Sequence, residues 1–167
     1  MNRFVGKSIV AVVMVAVACS SSEIITSPPG TAIPIVRLRS DPYSFAFYSG
    51  MTTPARLVIR DPVTWQATWA QINRGLSPSS PPPSIDFSRE MVIVAALGTR
   101  GSSGFDVLID GATEADAGGA VIAIRSTSPG TGCASLTVLT QPVDIARMPR
   151  RDGTVTFAER SSVTNCG

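Results

Sequence analysis

Residues 91–97 read Met-Val-Ile-Val-Ala-Ala-Leu, and residues 98–105 continue as Gly-Thr-Arg-Gly-Ser-Ser-Gly-Phe. Seven consecutive apolar residues, rich in β-branched types and ended by glycine, are typical of a strand buried on both faces, because a helix usually needs about ten or more residues. Residues 105–109 mostly follow the alternating pattern of a half-buried strand. We therefore predict that residues 91–97 form the central strand and pair with residues 105–109 in a hairpin.

Short apolar segments recur on both sides of this pair and predict further strands. They are residues 35–39, 43–48, 55–60, 120–125, 134–140, 143–148 and 153–158, and residues 110–119 are predicted to form an acidic turn. One helix is predicted over residues 62–73, because Asp61 is a favourable N-cap and Pro62 suits the first helical position. The series predicts a mainly β fold, an antiparallel β-sandwich or open barrel with one packed α-helix.

Two tryptophans lie four residues apart in the predicted helix, so Trp65 and Trp69 share one face. They either pack the helix against the sheet or line a ligand groove between helix and sheet. The proline-rich segment that follows, residues 76–84, is predicted to be a stiff spacer. A docking site for a proline-binding module is the alternative interpretation of that segment.

The first eighteen residues have the pattern of an export signal. Arg3 and Lys7 precede an apolar stretch, residues 9–18, which is too short to span a bilayer. Residues 16–19, Ala-Val-Ala-Cys, resemble a bacterial lipobox with alanine in place of the usual leucine, so we predict lipidation of Cys19 by fatty acyl chains such as palmitate; simple cleavage after residue 18 is the alternative. The sequence thus predicts a signal peptide over residues 1–18 and a membrane anchor at Cys19.

The segment after the anchor is polar and rich in proline, which predicts a flexible tether over residues 19–34 and a single compact domain over residues 35–167. Serine at position 20, by analogy with bacterial sorting rules, favours the outer membrane and the periplasmic side. Removal of Arg3 and Lys7 leaves 12 basic and 12 acidic residues, from 14 and 12 in the whole chain. Such a balance offers no electrostatic basis for binding nucleic acid.

The three cysteines divide into one anchor and one pair. If Cys19 is lipidated, Cys133 and Cys166 remain, and two cysteines of an exported protein usually form a disulfide. We predict that this disulfide holds the C-terminal tail to the domain. A reactive Cys133 is the alternative, but the sequence offers no base that would activate its thiol.

Residue types exclude most catalytic chemistry. The chain contains no histidine, which removes Ser-His-Asp and Cys-His catalysis and histidine-based zinc sites, and its lysine, Lys7, lies in the predicted signal. The carboxylate pairs that remain are Asp86 with Glu90 and Asp106 with Asp110, and we interpret all four as surface groups. The acidic run over residues 110–116 lacks the spacing of an EF-hand calcium loop. We predict no catalytic residues, no metal site and no cofactor.

A family resemblance appears in the order of several short motifs. They are Asp-Phe-Ser-x-Glu-Met-Val at 86–92, Leu-Gly-x-Arg at 97–100, Gly-Phe at 104–105, Pro-Gly-x-x-Cys at 129–133 and Gln-Pro at 141–142. In this order they resemble the C-terminal domain of the protease complex subunit PrcB, over roughly residues 56–157. Family members typically have Arg-Pro-Thr-Gly-Gly-Tyr where residues 100–105 read Arg-Gly-Ser-Ser-Gly-Phe. The resemblance implies a binding or accessory role, without catalytic residues.

Two interpretations of residues 98–105 remain open. The glycines simply allow a tight turn, or the segment is a flexible recognition loop that binds a partner through Arg100, Ser102, Ser103 and Phe105, since arginine and aromatic residues dominate binding hot spots. The second interpretation predicts a membrane-anchored exported lipoprotein with a non-catalytic protein-binding domain, whose partner is an exported protease or another envelope protein. The alternative is a structural envelope lipoprotein that binds a small ligand or a cell-wall polymer between helix and sheet.

Overall fold

The computed structural model describes residues 30–38, 49–74 and 81–166. Its strands are β1 (Ala32–Ile33), β2 (Val36–Arg37), β3 (Pro54–Ile59), β4 (Glu90–Leu97), β5 (Asp106–Ala115), β6 (Gly119–Pro129), β7 (Val143–Pro149) and β8 (Val155–Thr164), and its helix is α1 (Pro62–Ile72). Sheet A has the strand order β1-β5-β6-β8 and sheet B the order β2-β7-β4-β3. The mainly β sandwich with one packed helix is confirmed; the two sheets do not close into a barrel.

The apolar run of β4 is explained by its place in the molecule. β4 lies between β3 and β7 in sheet B, and residues 91–97 are all buried. Met91 and Ile93 point into the cluster shared with sheet A, whereas Val92 and Val94 point into the cluster under α1. Both faces of sheet B are therefore covered, which removes the alternation expected of a strand with one solvent-facing side.

The helix begins and packs as its sequence predicts. The Asp61 carboxylate accepts a hydrogen bond from the Thr64 amide at 2.8 Å, and Pro62 occupies the first turn. Trp65 and Trp69 are buried against sheet B, with ring centroids 5.2 Å apart, so their packing role is confirmed. The Trp65 indole N–H also donates to the Pro83 carbonyl at 3.0 Å and fixes the described end of the proline-rich segment.

The predicted hairpin of residues 91–97 with residues 105–109 is wrong. β4 and β5 belong to different sheets, and residues 98–105 carry the chain from sheet B to sheet A. The reason is that both edges of β4 are already paired, one with β3 and the other with β7, so no edge is left for residues 105–109. β5 instead pairs with β1 and β6.

Three other predictions of local structure are also wrong. Residues 110–115 continue β5 through a bulge after Ile109 instead of turning, and only residues 116–118 form a turn. Residues 134–139 are not a strand; they run along the surface, next to an isolated bridge between Arg100 and Thr140. β8 runs parallel to β6 over ten residue pairs, unlike the antiparallel neighbours elsewhere in both sheets.

The ends of the domain differ in part from the predicted boundaries. β1 lies within the predicted tether, residues 19–34, and Ile33 is buried in the core, so the packed chain begins before residue 35. Cys133 and Cys166 form a disulfide, as predicted. The signal peptide, Cys19 and the predicted strand at residues 43–48 lie outside the described residues. Within the described part of the chain, no helix has the length and apolar character needed to cross a membrane.

A buried carboxylate that the sequence did not single out connects the two sheets. Asp144 in β7 accepts hydrogen bonds from the amides of Ile109 at 2.7 Å and Ile145 at 3.0 Å, and Arg37 lies 3.3 Å from it. Arg37 also donates to the Ile109 carbonyl at 2.7 Å. Burial raises the pKa of the Asp144 carboxyl, and these donors oppose that rise. The Asp144 carboxylate therefore has a structural role: it links β7 to β5 at the bulge after Ile109.

Candidate functional site

Three segments meet at one end of the sandwich, and we call residues 100–105, 133–140 and 161–166 together the loop-end surface. Arg100 and Thr140 exchange backbone hydrogen bonds of 2.7 and 2.9 Å. Cys133 and Cys166 connect the second segment to the third through their disulfide. A cleft bordered by Arg100, Phe105, Ser161 and Ser162 separates the first segment from the third.

The loop of residues 98–105 is held in place and is not the flexible tip that was predicted. The Ser103 amide donates to the Leu136 carbonyl at 3.0 Å, and the Leu136 amide donates to the Ser103 hydroxyl at 2.9 Å. The Thr140 hydroxyl donates to the Ser102 carbonyl at 2.9 Å. Residues 136–140 therefore anchor the loop through these hydrogen bonds, although residues 134–139 do not form the predicted strand.

Backbone conformation explains why two positions of the loop are occupied by glycine. Gly98 has a φ of +74° and lies so close to Pro54 that a Cβ atom would come within 2.7 Å of its ring, and Gly104 has a φ of +92°. Both values lie in the left-handed region that favours glycine. At Gly101 a Cβ atom would meet no neighbour within 4 Å. The turn interpretation therefore explains Gly98 and Gly104, but not Gly101.

The four predicted binding residues differ in their exposure and in the contacts that their side chains make. Phe105 is half-buried and packs against the core between the sheets, and the Arg100 guanidinium carbon lies 5.5 Å from the centre of its ring. Ser102 and Ser103 are both half-exposed, but the Ser103 hydroxyl is already used by Leu136. Arg100 and Phe105 therefore form the chemically distinctive part of the loop, a cation held beside an aromatic ring.

The Arg100 side chain has no hydrogen-bond acceptor within the described part of the chain. Its Nε atom is buried and unpaired, together with Thr113 Oγ1 and Arg151 Nε. A buried polar group without a partner costs about 1–3 kcal/mol. Arg100 therefore has a hydrogen-bond donor that no described residue satisfies.

The loop-end surface also exposes apolar side chains that sequence reasoning did not select. Of the five large apolar side chains exposed in the described ranges, three belong to it: Leu136 at 69%, Leu139 at 63% and Val163 at 59%. The predicted disulfide was a signal that could have found them, because it places the chain after Cys133 beside the C-terminal tail. Exposed apolar groups around a central arginine and aromatic residue are a common composition of protein-binding surfaces.

Three of the four candidate carboxylates, Asp86, Glu90 and Asp110, are held by other side chains. Asp110 binds Arg125 at 3.0 Å and Arg160 at 2.6 Å, and the hydrogen bonds from Arg125 are the main cause that holds the pKa of its carboxyl below the ordinary value. The Ser88 hydroxyl donates to Asp86 at 2.6 Å and likewise lowers the pKa of that carboxyl. Glu90 binds Arg147 at 3.0 Å. Asp86 and Asp110 are therefore stabilised as anions, which suits them poorly as proton donors.

The alternative ligand site between helix and sheet is filled by Trp65, Trp69 and Ile72. A cavity of about 530 Å³ lies elsewhere, against sheet A. Its lining includes small and apolar residues of all four strands, with Asp110 and Arg160 among them. Among the described residues, no group of three or more histidine, cysteine, aspartate or glutamate side chains is arranged to hold a metal ion.

Comparison with known families adds one finding to this geometry. Residues 91–149 match the family model described as PrcB C-terminal. Over these residues the chain is similar to the PrcB C-terminal domain. The matched part is about a third of the 167 residues and is narrower than the predicted range of 56–157. It runs from β4 to β7, so it includes the loop with Arg100 and Phe105 and the segment with Leu136 and Leu139.

Searches with the whole chain found no match among curated proteins and none among solved structures. The family match is consistent with an accessory domain associated with a protease complex, a non-catalytic type of domain.

Proposed function

We propose that this chain is a membrane-anchored exported lipoprotein whose β-rich domain binds an exported protease, or another protein of its complex, through the loop-end surface. The observation that carries the proposal is the position of Arg100 and Phe105, inside the PrcB C-terminal match and beside the exposed Leu136 and Leu139. The role is that of an accessory or regulatory subunit. The proposed location is the cell envelope, with a lipid on Cys19 and the domain facing the periplasm from the outer membrane.

The geometry supports binding better than reaction. The loop is braced against residues 136–140 by hydrogen bonds, so a partner would meet a preformed surface and would not have to order it. The same surface combines exposed apolar groups with an arginine whose Nε has no partner among the described residues, a composition typical of interface hot spots. Three carboxylates of the candidate acid/base pairs, Asp86, Glu90 and Asp110, are held by arginine or by a turn serine.

Site-specific photo-crosslinking in intact source cells tests this proposal. A photoreactive amino acid at Leu136, which is 69% exposed, should form a crosslink to an exported protease or a subunit of its complex, as identified by mass spectrometry. The matched control is Val63 on α1, which is 76% exposed and lies outside the loop-end surface. The Arg100→Ala change should reduce the Leu136 crosslink at least about fivefold, a loss of about 1 kcal/mol or more.

Two further variants complete the experiment. Arg89→Ala removes an arginine whose side chain is 85% exposed and should leave the crosslink unchanged. Cys19→Ala should release the protein from the membrane fraction if Cys19 carries the anchor. The proposal is contradicted if Leu136 and Val63 give the same products, or if neither gives a protease component.

A second candidate function, the binding of a small apolar ligand, is favoured by the cavity of about 530 Å³ against sheet A. This volume lies within the range typical of small-molecule sites, about 300–1,000 Å³. Native mass spectrometry of the full chain should then show a retained molecule, and Ala123→Trp, which fills the cavity, should remove it. Ala70→Trp on the exposed side of α1 is the control. A wild-type chain that carries no additional mass after gentle extraction rejects this candidate.

A further inference from the structure

The arginines of the described domain fall into two groups. Several hold a carboxylate within 3.3 Å: Arg37 with Asp144, Arg56 with Glu159, Arg125 with Asp110, Arg147 with Glu90 and Arg151 with Glu114. Arg100 belongs to the other group, because in the described part of the chain its side chain has a ring contact with Phe105 and no ion pair. A guanidinium carries five N–H donors in one plane, so Arg100 keeps unused capacity for an anion.

The space beside Arg100 contains hydroxyl groups in its lining and no negatively charged side chain. It is a cleft of about 170 Å³, and the residues that line it are Leu97, Arg100, Phe105, Ser126, Thr127, Ser128, Ser161 and Ser162. Successive side chains of β6 and β8 point to opposite faces of sheet A, so Ser126 and its neighbour Ser161 point to the inner face, as Ile124 does, whereas Thr127 and Ser162 pair on the outer face. Hydroxyls can donate to an anion, so the lining complements a negative group and does not neutralise Arg100 itself.

The serine pairs retain hydrogen-bonding capacity. The Ser126 and Ser161 hydroxyl oxygens lie 2.9 Å apart, and those of Thr127 and Ser162 lie 3.3 Å apart. Each such pair needs only one of its two hydroxyl hydrogens for the mutual bond. Within the described part of the chain, the other hydrogen-bond partners of these hydroxyls are the Arg160 and Ser126 carbonyls, each at 3.5 Å, the limit of a hydrogen bond. A bound oxygen atom could therefore replace weak bonds with stronger ones.

We propose that this cleft binds a carboxylate carried by the partner protein, with the Arg100 guanidinium as the main donor and the inner-face hydroxyls of Ser126 and Ser161 as supporting donors. The inference rests on the proposed function, since it names the chemistry of the group that the loop-end surface recognises. A planar guanidinium matches the two oxygens of a carboxylate. Arg100 is the one charged residue in the lining, which suits a singly charged carboxylate better than a doubly charged phosphate. Phe105 holds the guanidinium in place from one side.

The carboxylate has two possible sources in a protein, an acidic side chain or the chain terminus, and small probes separate them. N-acetyl-glutamate N-methylamide presents a side-chain carboxylate, and N-acetyl-glycine presents a terminal one. N-acetyl-glutamine N-methylamide is the neutral control of nearly the same shape. Each is titrated into the ¹⁵N-labelled full chain in detergent, and the Nε–H signal of Arg100 is followed by NMR.

We expect a saturable shift of the Arg100 signal with at least one carboxylate probe and at least about tenfold weaker binding of the neutral probe, which is about 1.4 kcal/mol. Arg100→Gln should weaken carboxylate binding by a similar factor, measured on the amides of Ser126 and Ser161. Arg100→Lys keeps the charge without the planar fork and should bind with intermediate affinity. Arg89→Gln should bind as the wild type does.

The inference is overturned if no carboxylate probe gives a saturable shift, or if the glutamine and glutamate probes bind equally. This outcome is distinguishable from failure of the proposed function. A Leu136 crosslink to a protease component without carboxylate binding would reject the cleft as the recognition element and leave the proposed partner class intact. Carboxylate binding at Arg100 without that crosslink would support the cleft and reject the protease complex as the partner.

Discussion

Replacing Trp65 by alanine is expected to lower the free energy of unfolding by about 3–5 kcal/mol, the usual cost of removing a buried aromatic side chain. Trp65 is 3% exposed, and its ring packs beside Trp69 in the cluster that joins α1 to sheet B. Its indole N–H also holds the Pro83 carbonyl. Urea denaturation followed by circular dichroism measures the change.

The Trp65→Phe variant separates the contribution of the aromatic ring to stability from that of the hydrogen bond. Phenylalanine retains most of the apolar contact but leaves Pro83 without its donor, so we expect a smaller loss of about 1–2 kcal/mol. The exposed Gln66→Ala, one residue further along α1, should change stability by less than about 0.5 kcal/mol. A Trp65→Ala domain as stable as the wild type would show that α1 does not form the outer layer of the core.

Loss of the disulfide should have the second largest effect. The Cys133–Cys166 bond closes a loop with a sequence separation of 33 residues. The chain-entropy model assigns such a loop about 3–4 kcal/mol of stabilisation, because the cross-link restricts the unfolded chain. The double variant Cys133→Ser with Cys166→Ser should therefore unfold at a lower urea concentration than the oxidised wild type.

A reductant provides the control for this prediction. It should shift the unfolding midpoint of the wild type toward that of the double variant, and it should leave the double variant unchanged. Gly130 also receives hydrogen-bond support from the tail, through its amide and the Thr164 carbonyl at 2.9 Å, so part of the contact between the two segments should remain. Equal midpoints for oxidised wild type and double variant would contradict the assigned role of the bond.

The sequence predicts the helix and the central strand well because their signals are local. Asp61 and Pro62 satisfy and preset the first turn of α1 wherever the helix lies in the fold. The apolar run at 91–97 indicates a strand that is buried on both faces, and β4 is such an interior strand. Neither signal depends on knowing which other segment is the neighbour.

The pairing of the strands was not predictable in the same way. The choice between a hairpin and a crossing to the other sheet after Leu97 depends on which strands pair with the two edges of β4, and these are β3 and β7, which are both distant from it in sequence. β5 extends past Asp110 because Arg125 and Arg160 hold the carboxylate, and both arginines are distant in sequence. Such contacts override local turn preferences at residues 110–115.

In the candidate site, too, the local features were predictable from the sequence and those that depend on distant contacts were not. Arg100 and Phe105 stood out from the sequence as an arginine and an aromatic residue in a loop of small residues. The cleft beside them was not predictable, because Ser126 and Ser161 meet only through the parallel pairing of β6 with β8. Leu136 was assigned to a strand, whereas the structure places it in an exposed segment without regular structure.

The affinity of the purified full chain for the protein captured at Leu136 tests the central claim most directly. With both proteins in detergent, isothermal titration calorimetry should give a Kd for the wild type that rises at least about fivefold for Arg100→Ala and stays the same for Arg89→Ala. That result would establish the loop-end surface as a binding site centred on Arg100. Equal affinities for wild type and Arg100→Ala, with both proteins folded, would contradict it.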